Sequence, residues 1–281
     1  MAELTEEIRG KIESLKQWFQ SKKGSIVAFS GGIDSSLVLY MARLVQGKDR
    51  VIAVISNSES LKNKDFELAK YFSEKYDIRM EVIYTNELED DRYNENPFNR
   101  CFFCKEHLYK DIQPVLEKYP DFLILNGTNV DDYGDYRPGL QAANQYHVHS
   151  PLADCRITKN ELRQIAKYYE LPNWDKPASP CLSSRIPYNN KITRQKLEQV
   201  EEAENFLNSY GFNDVRVRHY GDYAKIEVKK DELDRLFEIK EQVVEKMIEI
   251  GFKRCEFDTE GLVSGKLNRV LVDSGAILKK D

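Results

Sequence analysis

Apolar residues at Leu4, Ile8, Ile12, Leu15, Trp18 and Phe19 recur at helical spacing, which predicts an amphipathic helix over residues 4–21. A short apolar run at 25–29 then predicts a buried strand, followed by a helix over 35–47. The alternation continues. Strands are predicted at 50–58, 79–86, 121–129 and 147–154, and helices from about Asp65 to Tyr76 and over 104–118. Thr158 stands three residues before Glu161, a capping box that opens a further helix. Strands alternating with helices predict an α/β fold, a doubly wound parallel sheet with both faces covered.

The pattern changes after Leu171. The segment PNWDKPASPCLSSRIPYNNKIT, residues 172–193, is a Pro-, Ser- and Asn-rich connection of the length that functional loops and linkers have. It leads to a helix (193–210), a strand pair within DVRVRHYGDYAKIEVK, a helix (231–250) and a strand in RCEFDTEG. We therefore expect two domains: a doubly wound α/β domain over 1–180 and a smaller α+β domain over 185–281.

Composition narrows the class. The 281 residues are 41% hydrophobic and 32% charged, with a formal net charge of −5 and a pI near 5.6. An acidic balance argues against a protein held to bulk DNA by phosphate contacts. No apolar run reaches membrane-spanning length, and the acidic, amphipathic N-terminus has no signal-peptide core, so a cytoplasmic protein is expected. The five cysteines then stand as thiols or metal ligands rather than disulfides.

The first strand runs into IVAFSGGIDSSLVLY, residues 26–40. Gly31 and Gly32 allow backbone N–H groups to approach a ligand closely. The helix that follows adds its positive N-terminal end, and Ser30, Ser35 and Ser36 add hydroxyls. This chemistry suits a phosphate or pyrophosphate. The segment is neither a Walker A loop, whose Lys-Ser/Thr pair is missing, nor a G-x-G-x-x-G dinucleotide loop. S-G-G-x-D-S in this context resembles the PP-loop of the ATP pyrophosphatases, which cleave ATP at its α-phosphate to adenylate a substrate.

Three further segments sharpen the resemblance: GTNVDDYGDYRPGL (127–140), PASPCLSSRIPY (177–188) and VRVRHY (215–220). Together with the PP-loop they resemble the LarE family, ATP-dependent sulfur transferases that make the bisthiocarboxylate mononucleotide of the nickel-pincer cofactor. The resemblance spans nearly the whole chain. It implies that Gly31, Gly32, Asp34 and Ser35 bind the phosphates of ATP and that Ser58 and Gly127 lie at the adenosine. It places Asp131 and Arg137 in a nucleotide-facing loop. It makes Cys181 the sulfur-transfer cysteine, followed by Ser184 and Arg185, with Glu204, Arg216, Arg218 and Glu227 nearby. It also implies a small pyridinium mononucleotide substrate and a homo-oligomer. The residues add their own support. Arg216 and Arg218 at i, i+2 share a strand face, and two guanidinium forks suit a phosphate or carboxylate. Asp131 and Asp132 beyond a strand end are candidates for Mg²⁺, which ATP chemistry calls for.

Cysteines set this chain apart from single-cysteine members of the family, whose cysteine gives up its own sulfur. NPFNRCFFCKEHLY places Cys101 and Cys104 in a C-x-x-C just before a predicted helix. One reading has Cys101, Cys104 and Cys181 hold a [4Fe–4S] cluster with one iron left open. A second makes the C-x-x-C a redox pair or persulfide relay feeding Cys181. A third is a zinc half-site, with His107 as a further ligand. Cys155 and Cys255 fall in or beside predicted strands and are expected to be packing residues. The favoured expectation is the cluster-bearing sulfur transferase. Two other classes stay open: a PP-loop tRNA thiolation enzyme, which needs a basic RNA-binding surface, and a nucleotide-binding redox or metal sensor. The sulfur donor is not legible.

Overall fold

The computed structural model describes residues 4–134, 137–263 and 265–269. Its elements, in chain order, are α1 (Glu6–Gln20), β1 (Ser25–Ala28), α2 (Ile33–Gln46), β2 (Val51–Ser56), α3 (Asn63–Lys75), β3 (Arg79–Ile83), α4 (Asp91–Asn94), α5 (Arg100–Lys118), β4 (Leu123–Leu125), α6 (Gly139–Gln145), α7 (Pro151–Asp154) and α8 (Lys159–Tyr168). There follow α9 (Arg194–Ser209), β5 (Arg216–His219), β6 (Tyr223–Glu227), α10 (Leu233–Glu238), α11 (Lys240–Ile250) and β7 (Arg254–Phe257). The chain divides into two compact units. One comprises 1–87 and 101–179, and the other 88–100 and 180–281.

In the first unit the strands run parallel in the order β3-β2-β1-β4, with Ser25 opposite both Val51 and Leu123. Strand periodicity separates its two cores. Val27, Ala53, Ile55 and Leu125 face one layer, where Leu37, Val38 and Met41 of α2, Phe72 of α3 and Leu162 and Ile165 of α8 pack. Ile26, Ile52, Val54 and Ile124 face the other, against Tyr109, Ile112 and Val115 of α5 and Ala142 of α6. Both faces are thus covered, as a parallel sheet requires. Helix α1 starts at Thr5, whose side chain accepts from Ile8 N, and buries Ile8, Ile12, Leu15 and Phe19 against the first of these layers.

Three expected elements differ. The strand expected at 147–154 is only a single parallel bridge, Leu125 to His149, because Pro151 opens α7 two residues later. The C-x-x-C does not precede a helix: α5 begins at Arg100, so Cys101 and Cys104 lie in its first turns at i, i+3. The helix expected over 231–250 is broken at Ile239 (φ −107°), leaving α10 and α11.

The second unit carries the sheet β5-β6-β7, with β5–β6 antiparallel and β6–β7 parallel. Gly221 (φ +77°) sits in the β5–β6 turn, a backbone region that disfavours other residues. Val217, Ala224 and Ile226 pack on Leu207 of α9, Leu236 of α10 and Met247 of α11. Residues 88–100 join this unit through polar ties. Asn96 Nδ2 donates to the Pro187 carbonyl at 2.7 Å, Asn189 N donates to the Asn96 carbonyl at 2.9 Å, and the Tyr93 and Ser183 hydroxyls meet at 2.6 Å.

Candidate functional site

The glycine-serine loop lies where β1 passes into α2. Gly31 has φ +67°, and a Cβ there would stand 2.6 Å from the Asp65 carbonyl oxygen, so glycine alone fits. Gly32 occupies the N-cap of α2 with no side-chain cap, which leaves the first amides of the helix for a ligand. Ser35 Oγ donates to the Gly32 carbonyl (3.1 Å) and meets Ser30 Oγ (3.2 Å), and Ser30 N donates to Ser35 Oγ (3.3 Å). The loop is therefore ordered by its own hydroxyls. Ser36 is fully buried and accepts from Asn173 Nδ2 at 2.8 Å, while the same amide donates to the Gly31 carbonyl at 3.1 Å. Gly127, beyond β4, packs so closely that a Cβ would lie 2.6 Å from Ser35 N.

Polar side chains from distant parts of the chain converge on this loop. Asp34 accepts from Lys159 Nζ on both carboxylate oxygens (2.6 and 2.5 Å) and from Asn129 Nδ2 (3.2 Å). Lys176 Nζ bonds Asp65 Oδ1 at 2.8 Å and lies 3.5 Å from the Gly31 carbonyl. Asp131 is exposed, and its carboxylate accepts from Lys159 N at 2.8 Å. Asp132 is buried, accepts from Asn129 N and Nδ2, and pairs with Arg137 at 2.8 Å. Burial raises the pKa of Asp132 from its ordinary value, against the amide of Asn129 and the charge of Arg137. Of the segment 127–140, Asp135 and Tyr136 lie outside the described residues. Lys159, Asn173 and Lys176 were not singled out from sequence. Only the capping-box Thr158 beside Lys159 marked that helix start as special.

Ser58 follows β2 at the C-terminal edge of the sheet, the end where open α/β sheets place ligands. It is partly buried and lies 3.0 Å from Ser60 Oγ.

The second unit holds the other candidates. Cys181 is exposed at the N-cap of a short 3₁₀ turn, Leu182–Arg185. Arg185 behind it is 1% exposed and holds the loop from inside. Its guanidinium donates to the carbonyls of Pro180 (2.8 Å) and Cys181 (3.2 Å), to Ser184 Oγ (2.9 Å), and bidentately to Glu204 (2.7 and 3.1 Å). Arg218 donates to the Ser184 carbonyl (2.8 Å) and to Glu227 (2.9 Å). Its Nε is buried with no partner among the described residues. Arg216 is half-buried, and its pKa is lowered first by desolvation and then by the charges of Arg218 and Arg185. Three guanidiniums thus face two carboxylates, Glu204 and Glu227, and the excess of positive charge suits an anion.

Among the described residues no group of three or more His, Cys, Asp or Glu side chains is placed to hold a metal ion. Cys101 is exposed and Cys104 partly buried. Cys155 and Cys255 are partly buried, and burial pushes their thiols up to about 11 and about 12.

Comparison with known proteins decides the family. A NAD synthase family model matches residues 2–96. The chain is 41% identical over 266 residues to the uncharacterized protein slr1717 of Synechocystis sp., covering 94% of this chain and 99% of that one. It is 34% identical over 245 residues to the pyridinium-3,5-bisthiocarboxylic acid mononucleotide synthase of Lactiplantibacillus plantarum, covering 87% and 89%. The chain belongs to the LarE family. It is accordingly an ATP-dependent sulfur transferase with a PP-loop. A glutamine-hydrolyzing GMP synthase component of Saccharolobus solfataricus is a more distant relative, 24% identical over 71% of this chain and 59% of that one. The uncapped end of α2, the glycine cradle and the Ser30 hydroxyl have the chemistry to receive a phosphate group. Asp34, with Asp132 behind Asn129, suits Mg²⁺ carried in by the nucleotide. No helix among the described residues is long and apolar enough to cross a membrane.

Proposed function

We propose that this protein activates a carboxylate of pyridinium-3,5-dicarboxylate mononucleotide with ATP and replaces a carboxylate oxygen with sulfur. The observation that carries this reading is the Cys181 loop. An exposed thiol sits on a turn whose carbonyls are fixed by a fully buried arginine, and Arg218, which donates to the Ser184 carbonyl of that turn, keeps one unpartnered donor, its Nε. In the first step a substrate carboxylate oxygen attacks the α-phosphorus, pyrophosphate leaves, and an acyl-adenylate forms. The amides at the start of α2, with the hydroxyls of Ser30 and Ser35, would hold the departing pyrophosphate, while buried Ser36 would brace the loop through Asn173. Lys159 and Lys176 would supply positive charge to it, and Asp34 would hold Mg²⁺, which neutralises the phosphates. Asp131, Arg137, Ser58 and Gly127 would border the nucleotide. In the second step a sulfide, or the Cys181 thiolate itself, attacks the acyl carbon and AMP leaves, a far better leaving group than hydroxide. Sulfide gives the thiocarboxylate directly, whereas a Cys181 thioester gives it by β-elimination of the Cβ–S bond, which leaves dehydroalanine at position 181. Two carboxylates require two rounds.

Arg216 and Arg218 would bind the phosphate or a carboxylate of the mononucleotide. Glu204, Glu227, Ser184 and Arg185 would hold that pocket and the cysteine turn in place. We further propose that Cys101, Cys104 and Cys181 are the ligand set for a [4Fe–4S] cluster. Three thiolates leave one iron without a protein ligand, and that open iron would hold an added sulfide from an external donor, so that neither the protein nor the cluster core is consumed. A cytoplasmic homo-oligomer is the proposed setting. The test is pyrophosphate release from ATP that depends on the dicarboxylate mononucleotide, with the thiocarboxylate product followed by mass spectrometry. Turnover with tRNA and not with the mononucleotide would replace this reading with the tRNA-thiolating one.

A further inference from the structure

The hydroxyls at the C-terminal ends of β2 and β3 form a chain anchored on one carboxylate. Glu87 is 2% exposed. One of its oxygens accepts from Thr85 Oγ1 at 2.5 Å and the other from Ser60 Oγ at 3.2 Å. Thr85 and Ser60 are both 5% exposed. A hydroxyl carries a single proton. With theirs committed to Glu87, Thr85 and Ser60 can only accept from their other neighbours. For Thr85 that neighbour is Ser56 Oγ at 2.6 Å, and for Ser60 it is Ser58 Oγ at 3.0 Å. Either contact taken alone could run in both directions, and the buried carboxylate removes the choice. Ser56 and Ser58 must donate inward. Toward a ligand they present lone pairs only.

These two outer serines are the partly exposed members of the chain. Ser56 ends β2, opposite Ile83 of β3, and β2 neighbours β1, which leads into the phosphate loop. The acceptor edge therefore borders the end of the sheet at which the nucleotide is proposed to bind.

We propose that Glu87 is a positioning residue for nucleoside selectivity: through Ser60 and Thr85 it fixes Ser58 and Ser56 as acceptors for a hydrogen-bond donor of the ATP nucleoside. That donor is the 6-amino group of the base or a ribose hydroxyl. A base with a carbonyl at position 6 would set oxygen against oxygen and leave these acceptors unpaired once the nucleotide covers them. The inference rests on the nucleotide site proposed above, and its test separates the two.

Calorimetric titration of the full chain with ATP, ITP, 2′-deoxyATP, 3′-deoxyATP and inorganic pyrophosphate is the experiment. At least one analogue is expected to bind about tenfold or more weakly than ATP, the loss one unpaired buried polar group produces. Weak ITP binding assigns the donor to the base, and a weak deoxy analogue assigns it to the ribose. Ser60→Ala frees the Ser58 proton, and Glu87→Gln puts one donor where an acceptor stood. In at least one of these variants the discrimination is expected to shrink by most of that factor, with pyrophosphate affinity unchanged. Equal binding of all four nucleotides overturns the proposal, as does discrimination that survives in both variants. Loss of pyrophosphate binding in the variants also overturns it, because the effect would then lie in the phosphate loop. Wild-type protein that binds neither ATP nor pyrophosphate overturns the nucleotide reading itself, and this inference falls with it.

Discussion

At the scale of single residues, close approach and burial separate functional positions from packing ones. Gly127 has no room for a methyl group, which would stand 2.6 Å from Ser35 N and 2.8 Å from the Asp34 carbonyl carbon. Both are backbone atoms and cannot rotate away. Gly127→Ala is expected to push the phosphate loop from its position and weaken pyrophosphate binding about tenfold or more, read by titration, with a stability loss of about 1–3 kcal/mol. The cysteines divide in the same way. At pH 8 a thiol raised to about 11 is ionised in roughly one molecule per thousand, and one at about 12 in roughly one per ten thousand. In metal-free protein, iodoacetamide at pH 8 is therefore expected to label exposed Cys101 and Cys181 within minutes and to leave Cys155 and Cys255 unmodified, as mass spectrometry of peptides would show. The two groups were partly legible in the sequence: Cys101 and Cys104 carry C-x-x-C spacing and Cys181 lies in a Pro- and Ser-rich connection, whereas Cys155 and Cys255 carry no motif spacing. Lys159 and Lys176 were not legible as partners of the loop. Each lies more than a hundred residues from the aspartate it pairs with, and nothing local distinguishes them from the other lysines.

Whole elements were legible wherever their periodicity ran long enough. The alternating strands and helices of the first unit follow from buried runs such as VIAVIS, with no polar position to interrupt them. The strand expected at 147–154 failed because a proline two residues past the one bridging position starts a helix instead. The start of α5 was set too late because aromatic residues between the cysteines obscure helical spacing. Burial along an element also has a pH signature that no pattern reveals. His219 ends β5, 3% exposed, against the Phe252 ring and within hydrogen-bond distance of Gln199. Burial, aided by Lys196, lowers its pKa from 6.5 to about 4. Between those values the unfolded chain takes up a proton and the folded chain does not. Stability therefore falls as pH drops from 6.5 toward 4, by on the order of 2–3 kcal/mol at the low end. Urea midpoints at pH 7 and pH 4.5 measure this, and His219→Gln is expected to flatten the His219 contribution to the slope.

For the molecule as a whole, the open question is whether it survives its own reaction. Buried Arg185 bears on this directly, since the carbonyls of Pro180 and Cys181 hang on its guanidinium while Glu204 balances its charge. Arg185→Met strands the Glu204 carboxylate in the interior and is expected to cost about 3–5 kcal/mol, measured by chemical denaturation. A turn fixed this firmly holds Cys181 ready for repeated use, yet it serves equally well for a cysteine used once. Composition separates the two routes. If Cys101, Cys104 and Cys181 bind a [4Fe–4S] cluster, protein purified without oxygen carries about four irons and matching acid-labile sulfide per chain. Cys101→Ala then loses that iron without altering the Cys181 loop, and wild-type mass is unchanged after many turnovers. If Cys181 instead gives up its own sulfur, no iron copurifies, turnover stops after one sulfur per chain, and the chain loses the mass of H₂S, about 34 Da, at position 181. The proposed cluster predicts the first outcome. The two α5 thiols, at i, i+3 on one helix, are the ligands it adds to Cys181, and iron that persists in Cys101→Ala overturns it.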